Sequence, residues 1–535
     1  MNTEINCDME QEPCPVGKLL RSANPATLDF IGDVQETPPT AIREILDRAR
    51  QAQHDWEQVH TRTRINLLKN ALQYIRDHIE EIAFTIASET GKPKIEAVNS
   101  DIITAIGVGD FTVHNLSKVL KPYLVKMGRI GNLLRLLGRY SYIYPKPVGV
   151  VGIISPWNYP FGIPFSQVIM AVAAGNAVIL KPSTETPLTG LRIQEVFDEA
   201  GFPPGLVQAI PGTGSGIGNA LVESGVDRII FTGSVDVGRQ VMARAVQRLT
   251  PVTLELGGKD AMVVFDDADL DRAATAAVFG SFLNAGQTCV GVKRIYVQHS
   301  IYEKFLARLK EKVESLKQGW GWDDLDVSIG PLINARAIGD MEHHVARAVE
   351  QGARVLTGGH RNPDLPGLFF EPTVLVDVTQ DMDCVREEIF GPIVCVLIFS
   401  TEEEAIKLAN DSDFALSGSV WTRDIERGKQ VAEKMDAGTV VVNNLVYTFG
   451  LGATPWGGKH NSGYGRTHGI FGFHELLEPH HVHVDRGRLP RDPWWQPYNE
   501  RKFQANLDLM DVAYFGKNRR IFSLVRKLSG NSKKN

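Results

Sequence analysis

Four short runs rich in β-branched residues, spaced by helix-length segments, limit this chain to very few folds. VGVVGIIS (148–155), NAVILKPS (176–183), GLVQAIPG (205–212) and DRIIFTGS (227–234) are apolar at successive positions rather than alternate ones. A strand with one face in water alternates; a continuous run is what a strand covered on both faces needs. Between them, 164–174, 187–200 and 216–223 carry helical patterns. Strands and helices in this rhythm predict an open, largely parallel α/β sheet with right-handed crossovers. A second set begins near residue 260 with AMVVF, RIYVQ, TVLVDV, IVCVLIF and GTVVVNN. The chain has 535 residues, more than one hydrophobic core holds. Two α/β units meeting near Leu256–Lys259 are the economical division.

The flanks differ in character. Residues 1–20 read as a leader, with Pro13 and Pro15 near its end. Residues 40–88 read as helical, with Ile65, Leu68, Ala71, Leu72 and Ile75 at helix spacing. RYSYIYPKP (139–147) alternates as a strand does. Farther on, Pro490, Pro493 and Pro497 with Trp494 and Trp495 break the pattern, and 500–528 reads as two amphipathic helices around Gly516. The second helix is expected to place Ile521, Leu524, Val525 and Leu528 on one face. From Val512 to Asn535 there are seven Lys and Arg and no acid. The whole chain, with 57 basic and 63 acidic residues, is slightly acidic. That balance argues against a nucleic-acid partner, because phosphate backbones attract basic surfaces. The five cysteines (Cys7, Cys14, Cys289, Cys384, Cys395) are an odd, scattered set, so no disulfide framework and a reducing compartment are expected. With no secretory h-region and no apolar run of ~18 residues, the expectation is a soluble cytoplasmic protein.

Three residues stand out for chemistry. Cys289 in NAGQTCV (284–290) lies among small and polar residues, which suits a nucleophile on a tight loop open to substrate. The alternative is an inert structural cysteine. Glu255 in LELGGK (254–259) ends an apolar strand before a Gly-Gly turn, at the sheet edge where α/β folds place their sites. Apolar surroundings should raise its pKa and fit it to take a proton from water; a salt bridge to Lys259 or an arginine is the competing reading. Asn158 in ISPWNYPF (154–161) can donate to an oxyanion or merely stabilise its own loop. FTGSVDVG (231–238) ends a strand and opens a helix with Gly233, Ser234 and Gly238, a start that suits phosphate oxygens. Neither it nor GTGSGIG (212–218) matches the dinucleotide fingerprint. Lys181 in LKPSTETP (180–187) is placed to reach ribose hydroxyls or a phosphate. EEIFGP (387–392) offers Glu388 and Phe390 for a ribose contact and ring packing.

Taken together and in order, these segments resemble the aldehyde dehydrogenase superfamily. PWNYP, LKPS, FTGS, LELGGK, GQTC, EEIFGP and PWGGKHNSGYGR (455–466) follow the family's order from SANPAT (22–27) to about His483. The intervals fit as well, 23 residues from Asn158 to Lys181 and 34 from Glu255 to Cys289. The resemblance implies an aldehyde dehydrogenase-like α/β fold: two open Rossmann-type domains plus a bridging oligomerisation hairpin. On that reading 21–138 and 148–256 bind cofactor, 257–445 is catalytic, 139–147 and 470–487 bridge, and 488–535 is a basic amphipathic extension. The implied reaction starts with attack of the Cys289 thiolate on an aldehyde, the oxyanion held by Asn158 and the Cys289 backbone N–H. Hydride passes to the nicotinamide ring, and Glu255 activates water to hydrolyse the thioester. The implied cofactor, NAD or NADP, is expected against Ser155, Trp157, Lys181, Ser183, Thr184, Gly233, Ser234, Gly238, Leu256, Glu388 and Phe390. A homodimer or homotetramer is implied through the hairpin.

Departures from the family pattern refine the expectation. NAD-preferring members usually carry Glu three positions after the LKPS lysine; the residue in that position is Thr184, which would not repel a 2′-phosphate, so NADP is admitted. Semialdehyde members often have a second cysteine two after the first, where this chain has Gly291. CoA-acylating relatives lack the glutamate present as Glu255. The expected substrate is therefore a non-polar aldehyde, aliphatic or aromatic. A CoA-acylating or semialdehyde enzyme and a non-catalytic relative are the alternatives. His480, His481 and His483 put two imidazoles on one strand face with no third ligand, so no metal is expected. The basic tail and KVLKPYLVKMGRIGNLLRLLGRY (118–140), both cationic and apolar, suggest peripheral membrane association; the competing reading is a tail packed on its own subunit.

Overall fold

A computed structural model describes residues 18–489, 492 and 494–528, apart from the side chains of 518 and 528. The expectations for the leader with Cys7, Cys14, Pro13 and Pro15, for Pro490 and Pro493, for the Leu528 side chain and for the last seven residues therefore lie outside the described residues. The chain folds as two compact units, one from Met1–Leu116 and Pro147–Leu476, the other from Ser117–Lys146 and Leu477–Asn535.

Two sheets organise the first unit. In the six-stranded sheet the order is Gly463–Tyr464, Val252–Glu255, Arg228–Thr232, Val150–Ile154, Ala177–Lys181, Val207–Ala209. All neighbours are parallel except the first pair. Val150–Ile154 and Ala177–Lys181 are buried at every position, which is why neither alternates in sequence. Register matters more than composition for the site. Thr232 pairs with Glu255, and Ile154 with both Phe231 and Lys181. The carboxyl ends of four strands thus reach the same level, and the loops leaving them carry Ser155, Trp157, Asn158, Ser183, Gly233 and Ser234.

The seven-stranded sheet runs Arg354–Thr357, Thr373–Val376, Ile393–Phe399, Val292–Gln298, Asp260–Val264, Ser417–Trp421, Thr439–Val442. Only Arg354–Thr357 is antiparallel. The segments GGK and EEIFGP lead directly into strands of this sheet at Asp260 and Ile393, and GQTC ends two residues short of the strand that starts at Val292. Three helices, Ile42–Glu57, Thr61–Asp77 and Ile79–Thr90, fill the expected helical region, with Leu68, Ala71 and Ile75 fully buried. The helix expected over 216–223 is shorter, Asn219–Glu223, because glycines open the preceding turn into a wide π-type coil at Gly214–Gly218.

The second unit has a three-stranded sheet in the order Leu477–Asp485, Arg139–Pro147, Tyr123–Leu124. Three helices join it: Gly128–Leu136, Glu500–Ala513 and Ile521–Leu528. The single apolar face expected for the last helix is divided: Leu524 is buried but Val525 is exposed. Adjacent residues on a helix lie about 100° apart, so Leu524 packs inward and Ile521 partly so, while Val525 turns to solvent. Among the described residues no helix is long and apolar enough to cross a membrane.

Candidate active site

The loop preceding Val292–Gln298 is built against backbone strain. Asn284, Ala285 and Gly286 all have positive φ, at 54°, 53° and 70°. For the two non-glycine residues this costs of order 1–3 kcal/mol each, so surrounding contacts must enforce it. Glu96 accepts the Asn284 N–H at 3.0 Å, and Lys293 Nζ donates to the Gly286 and Gly391 carbonyls at 2.7 and 2.8 Å. A Cβ at residue 286 would lie 2.1 Å from the Gly391 oxygen, so the position admits only glycine. Gln287 anchors the next turn, donating to Pro331 O and accepting from Ile333 N. The loop delivers Cys289 to the wall of a cavity of about 370 Å³.

Glu255 lines the same cavity. Its carboxylate accepts from Thr467 Oγ1 at 3.3 Å, while Lys259 Nζ has no hydrogen-bond partner among the described residues. The salt bridge weighed for Glu255 against Lys259 is therefore not formed. Burial pushes the Glu255 carboxyl up to about 8, opposed by the Thr467 bond and by Arg466. Burial, with the nearby Asp260, Glu255 and Glu388 carboxylates, also pushes the Cys289 thiol up. The resting sulfur is therefore held as thiol, and a proton acceptor is needed to make it a nucleophile.

Asn158 is turned towards the cysteine loop, not into a local turn. Its Nδ2 donates to Gln287 O at 3.1 Å, across 129 positions of sequence. Its own carbonyl accepts from Lys92 Nζ at 2.7 Å and from Asn284 Nδ2 at 3.0 Å. Lys92 is paired with Asp101 at 2.8 Å, both side chains having no solvent exposure, and Asp101 receives the N–H groups of Phe161 and Gly162. Tyr159 completes the frame, with Lys92 over its ring and its hydroxyl 2.7 Å from Thr288 Oγ1. Lys92, Asp101, Glu96, Tyr159, Thr288 and Thr467 were not singled out in the sequence. Their roles arise from contacts between distant segments, and only Tyr159 and Thr288 lie inside motifs.

The expected cofactor residues fall around the two sheet edges. The Ser155 N–H donates to Lys181 O at 3.1 Å, and Ser183 Oγ accepts from Glu185 N, turning the chain that carries Thr184. Lys181 is nearly buried; burial lowers its pKa to about 8, with Glu36 acting against the fall. The Gly233 N–H is already taken by Glu255 O at 3.0 Å, which leaves phosphate contact to Ser234 and the helix Val235–Ala245 that it caps. Gly238 is pressed on Leu256: a Cβ there would stand 2.6 Å from Leu256 Cδ2. Trp157 meets Phe390 edge-on, with centroids 5.5 Å apart. Glu388 accepts the Gly258 N–H at 3.1 Å, and Cβ atoms at 257 and 258 would strike Glu388 and the Cys289 carbonyl, each at 2.2 Å. The Gly-Gly turn thus lets the glutamate strand, the cysteine loop and the EEIFGP loop close on one another. A shielded ammonium, a helix start, a hydrogen-bond-accepting carboxylate and a ring pair are groups that fit a nicotinamide dinucleotide. Among the described residues, no group of three or more His, Cys, Asp or Glu is placed to hold a metal ion.

The sequence model of the aldehyde dehydrogenase family matches residues 14–482. A 4,4′-diapolycopene aldehyde oxidase from Methylomonas is 35% identical, over 92% of this chain and 91% of the relative. A putative NADP⁺ succinate-semialdehyde dehydrogenase from Mycobacterium ulcerans is also 35% identical, over 84% of this chain and 86% of its own. The crystal structure of betaine aldehyde dehydrogenase from Staphylococcus aureus with NAD⁺ superposes with a TM-score of 0.83 at 35% identity, covering 89% of this chain and 93% of that one. With its two open α/β sheets and a match over nearly its whole length, this chain belongs to the aldehyde dehydrogenase family of NAD(P)-dependent oxidoreductases.

Proposed function

We propose that the protein oxidises a non-polar aldehyde, aliphatic or aromatic, to its carboxylic acid with NAD⁺ or NADP⁺, through a thioester on Cys289. The observation that carries this is the single cavity holding both Cys289 and Glu255 between walls that include Ile163, Phe279, Leu283 and Trp456. The thiol gives up its proton to solvent entering the cavity, which leaves Glu255 for the later hydrolysis. Once the thiolate adds to the carbonyl carbon, Asn158 supports the developing oxyanion. One Nδ2 hydrogen is held by Gln287 O, and that bond aims the amide so that the second can serve the substrate. The bound dinucleotide supplies the hydride acceptor. Lys181, Ser183, Thr184 and Ser234 are assigned to its adenosine and phosphate end, and Glu388, Phe390 and Trp157 to its nicotinamide end. Ser155, Gly233, Gly238 and Leu256 shape the floor between them. After hydride transfer Glu255 takes a proton from water as the water attacks the thioester, releasing the acid and restoring Cys289.

In this reading the cofactor-binding part is 21–138 with 148–256, and the catalytic part is 257–445. Assembly into a dimer or tetramer uses 139–147 and 470–487; the strand Leu477–Asp485 is an exposed sheet edge, which supports pairing there. Peripheral membrane association is assigned to the basic extension 488–535. Gly291, standing where semialdehyde members often carry a second cysteine, argues against an acidic semialdehyde. The test is a panel of a medium-chain alkanal, an aromatic aldehyde, a quaternary-ammonium aldehyde and an acidic semialdehyde, each with both cofactors. A higher kcat/KM for the alkanal or aromatic aldehyde is expected. Preference for the charged aldehydes, or strict dependence on CoA, would overturn the assignment.

A further inference from the structure

Charge is segregated along this chain. The segments Ser117–Lys146 and Leu477–Asn535, which make up the second unit, hold 19 Lys and Arg against 6 Asp and Glu, a net of +13. The rest of the chain holds 38 against 57, a net of −19. The helix Glu500–Ala513 in the positive unit buries Ala505, Val512 and Ala513 together with two of its acids. Its acids face inward: Asp508 is 4% exposed and Asp511 6%. They are matched by Arg520, Lys527 and Lys517 from the following segment, with Arg520 at 2.7 Å from Asp511 and Lys517 at 3.0 Å. Its largest apolar side chains, and the tyrosine that follows it, are exposed. Phe503 (56% exposed), Met510 and Tyr514 (69%) are seven and four residues apart, a single stripe on an α-helix. Phe522, at 85%, extends the apolar exposure into the last helix, and Trp494 and Trp495 do so on the N-terminal side.

A water-facing helix does the reverse, burying its stripe and solvating its acids. Acids neutralised inside, with exposed aromatic residues on a unit of net positive charge, is the arrangement suited to a lipid interface. Trp and Tyr settle at headgroup level, and Lys and Arg are drawn to anionic lipid. A second copy of the same face would oppose like charge to like charge, whereas an anionic bilayer complements it. We propose that this unit docks on an anionic phospholipid surface through the aromatic face formed by Phe503, Met510, Tyr514, Phe522, Trp494 and Trp495. Docking stands on these observations alone. Its purpose, drawing a bilayer-dissolved aldehyde to the enzyme, rests on the non-polar substrate proposed above.

Full-length protein is sedimented with vesicles of phosphatidylcholine alone and of phosphatidylcholine with phosphatidylglycerol, at low and high salt. Binding to the anionic vesicles only, weakened by salt and accompanied by a blue shift of tryptophan emission, is expected. A triple variant, Phe503→Ser with Tyr514→Ser and Phe522→Ser, should bind about tenfold less well. It should keep its elution volume and its kinetics on a short water-soluble aldehyde. Absence of wild-type binding to anionic vesicles at low salt overturns the proposal. So does a change of oligomeric state in the variant without vesicle binding by the wild type, which would make the face an interface between copies. If aldehyde turnover is absent while vesicle binding is seen, the functional reading fails and the docking surface stands.

Discussion

Replacing Glu255 with glutamine probes the link between burial and chemistry. The carboxyl is pushed up to about 8 by burial. A group with that pKa is about one-tenth ionised at pH 7 and about nine-tenths at pH 9. If the ionised form takes the proton from water, thioester hydrolysis rises about tenfold across that interval in the wild type. Glutamine has the same shape but accepts no proton there. Steady-state turnover of Glu255→Gln should fall by about 10²–10⁴-fold and lose its rise through pH 8. The first turnover of reduced cofactor should persist as a burst, because hydride leaves before water attacks. Stopped-flow absorbance of the reduced cofactor, with steady-state rates from pH 6 to 10, reads both quantities. A variant with the wild-type pH profile, or one that loses burst and steady state equally, would refute the argument. Stability gives an independent sign. A carboxyl whose folded pKa lies above its unfolded value stabilises the fold most at low pH, and that contribution is lost as pH rises through about 8. The variant should therefore gain in Tm relative to wild type from about pH 5 to pH 8 and then hold level.

The other predictions concern groups around the reacting atoms. Asn158→Ala should cost about 3 kcal/mol of transition-state stabilisation, about two orders of magnitude in kcat with little change in KM. Lys92→Met leaves Asp101 buried without its cation, and thermal or denaturant unfolding should show a loss of about 3–5 kcal/mol, accompanied by a fall in kcat as the Asn158 loop loosens. Thr184→Glu places a carboxylate where a 2′-phosphate would lie, so kcat/KM with NADP⁺ should fall relative to NAD⁺; an unchanged ratio would remove residue 184 from the cofactor site.

Much of the site was legible because its signals are local. GQTC, LELGGK and EEIFGP each combine a reactive or charged residue with glycines, and the structure explains those glycines by close approach of the three segments. The strands Val150–Ile154 and Ala177–Lys181 were legible because burial on both faces writes an uninterrupted apolar run. Ser417–Trp421 was not, since its glycine and serines mask a strand that tertiary pairing alone secures. The two-residue strand Gly463–Tyr464, which closes the sheet beside Glu255, is too short to leave any periodic signal. Lys92 and Asp101 lie in no motif, and only the fold reveals them as a buried pair. In the last helix the amphipathic spacing marks a helix, but its apolar residues divide between packing and exposure, a choice that periodicity does not encode.

The central claim is that Cys289 carries the acyl group. Intact-protein mass spectrometry of Glu255→Gln, quenched after one turnover with aldehyde and cofactor, measures this directly. A single added acyl mass that maps to the peptide holding Cys289, and that is absent from Cys289→Ala, is the predicted result. An adduct on another residue, or full turnover by Cys289→Ala, would contradict it.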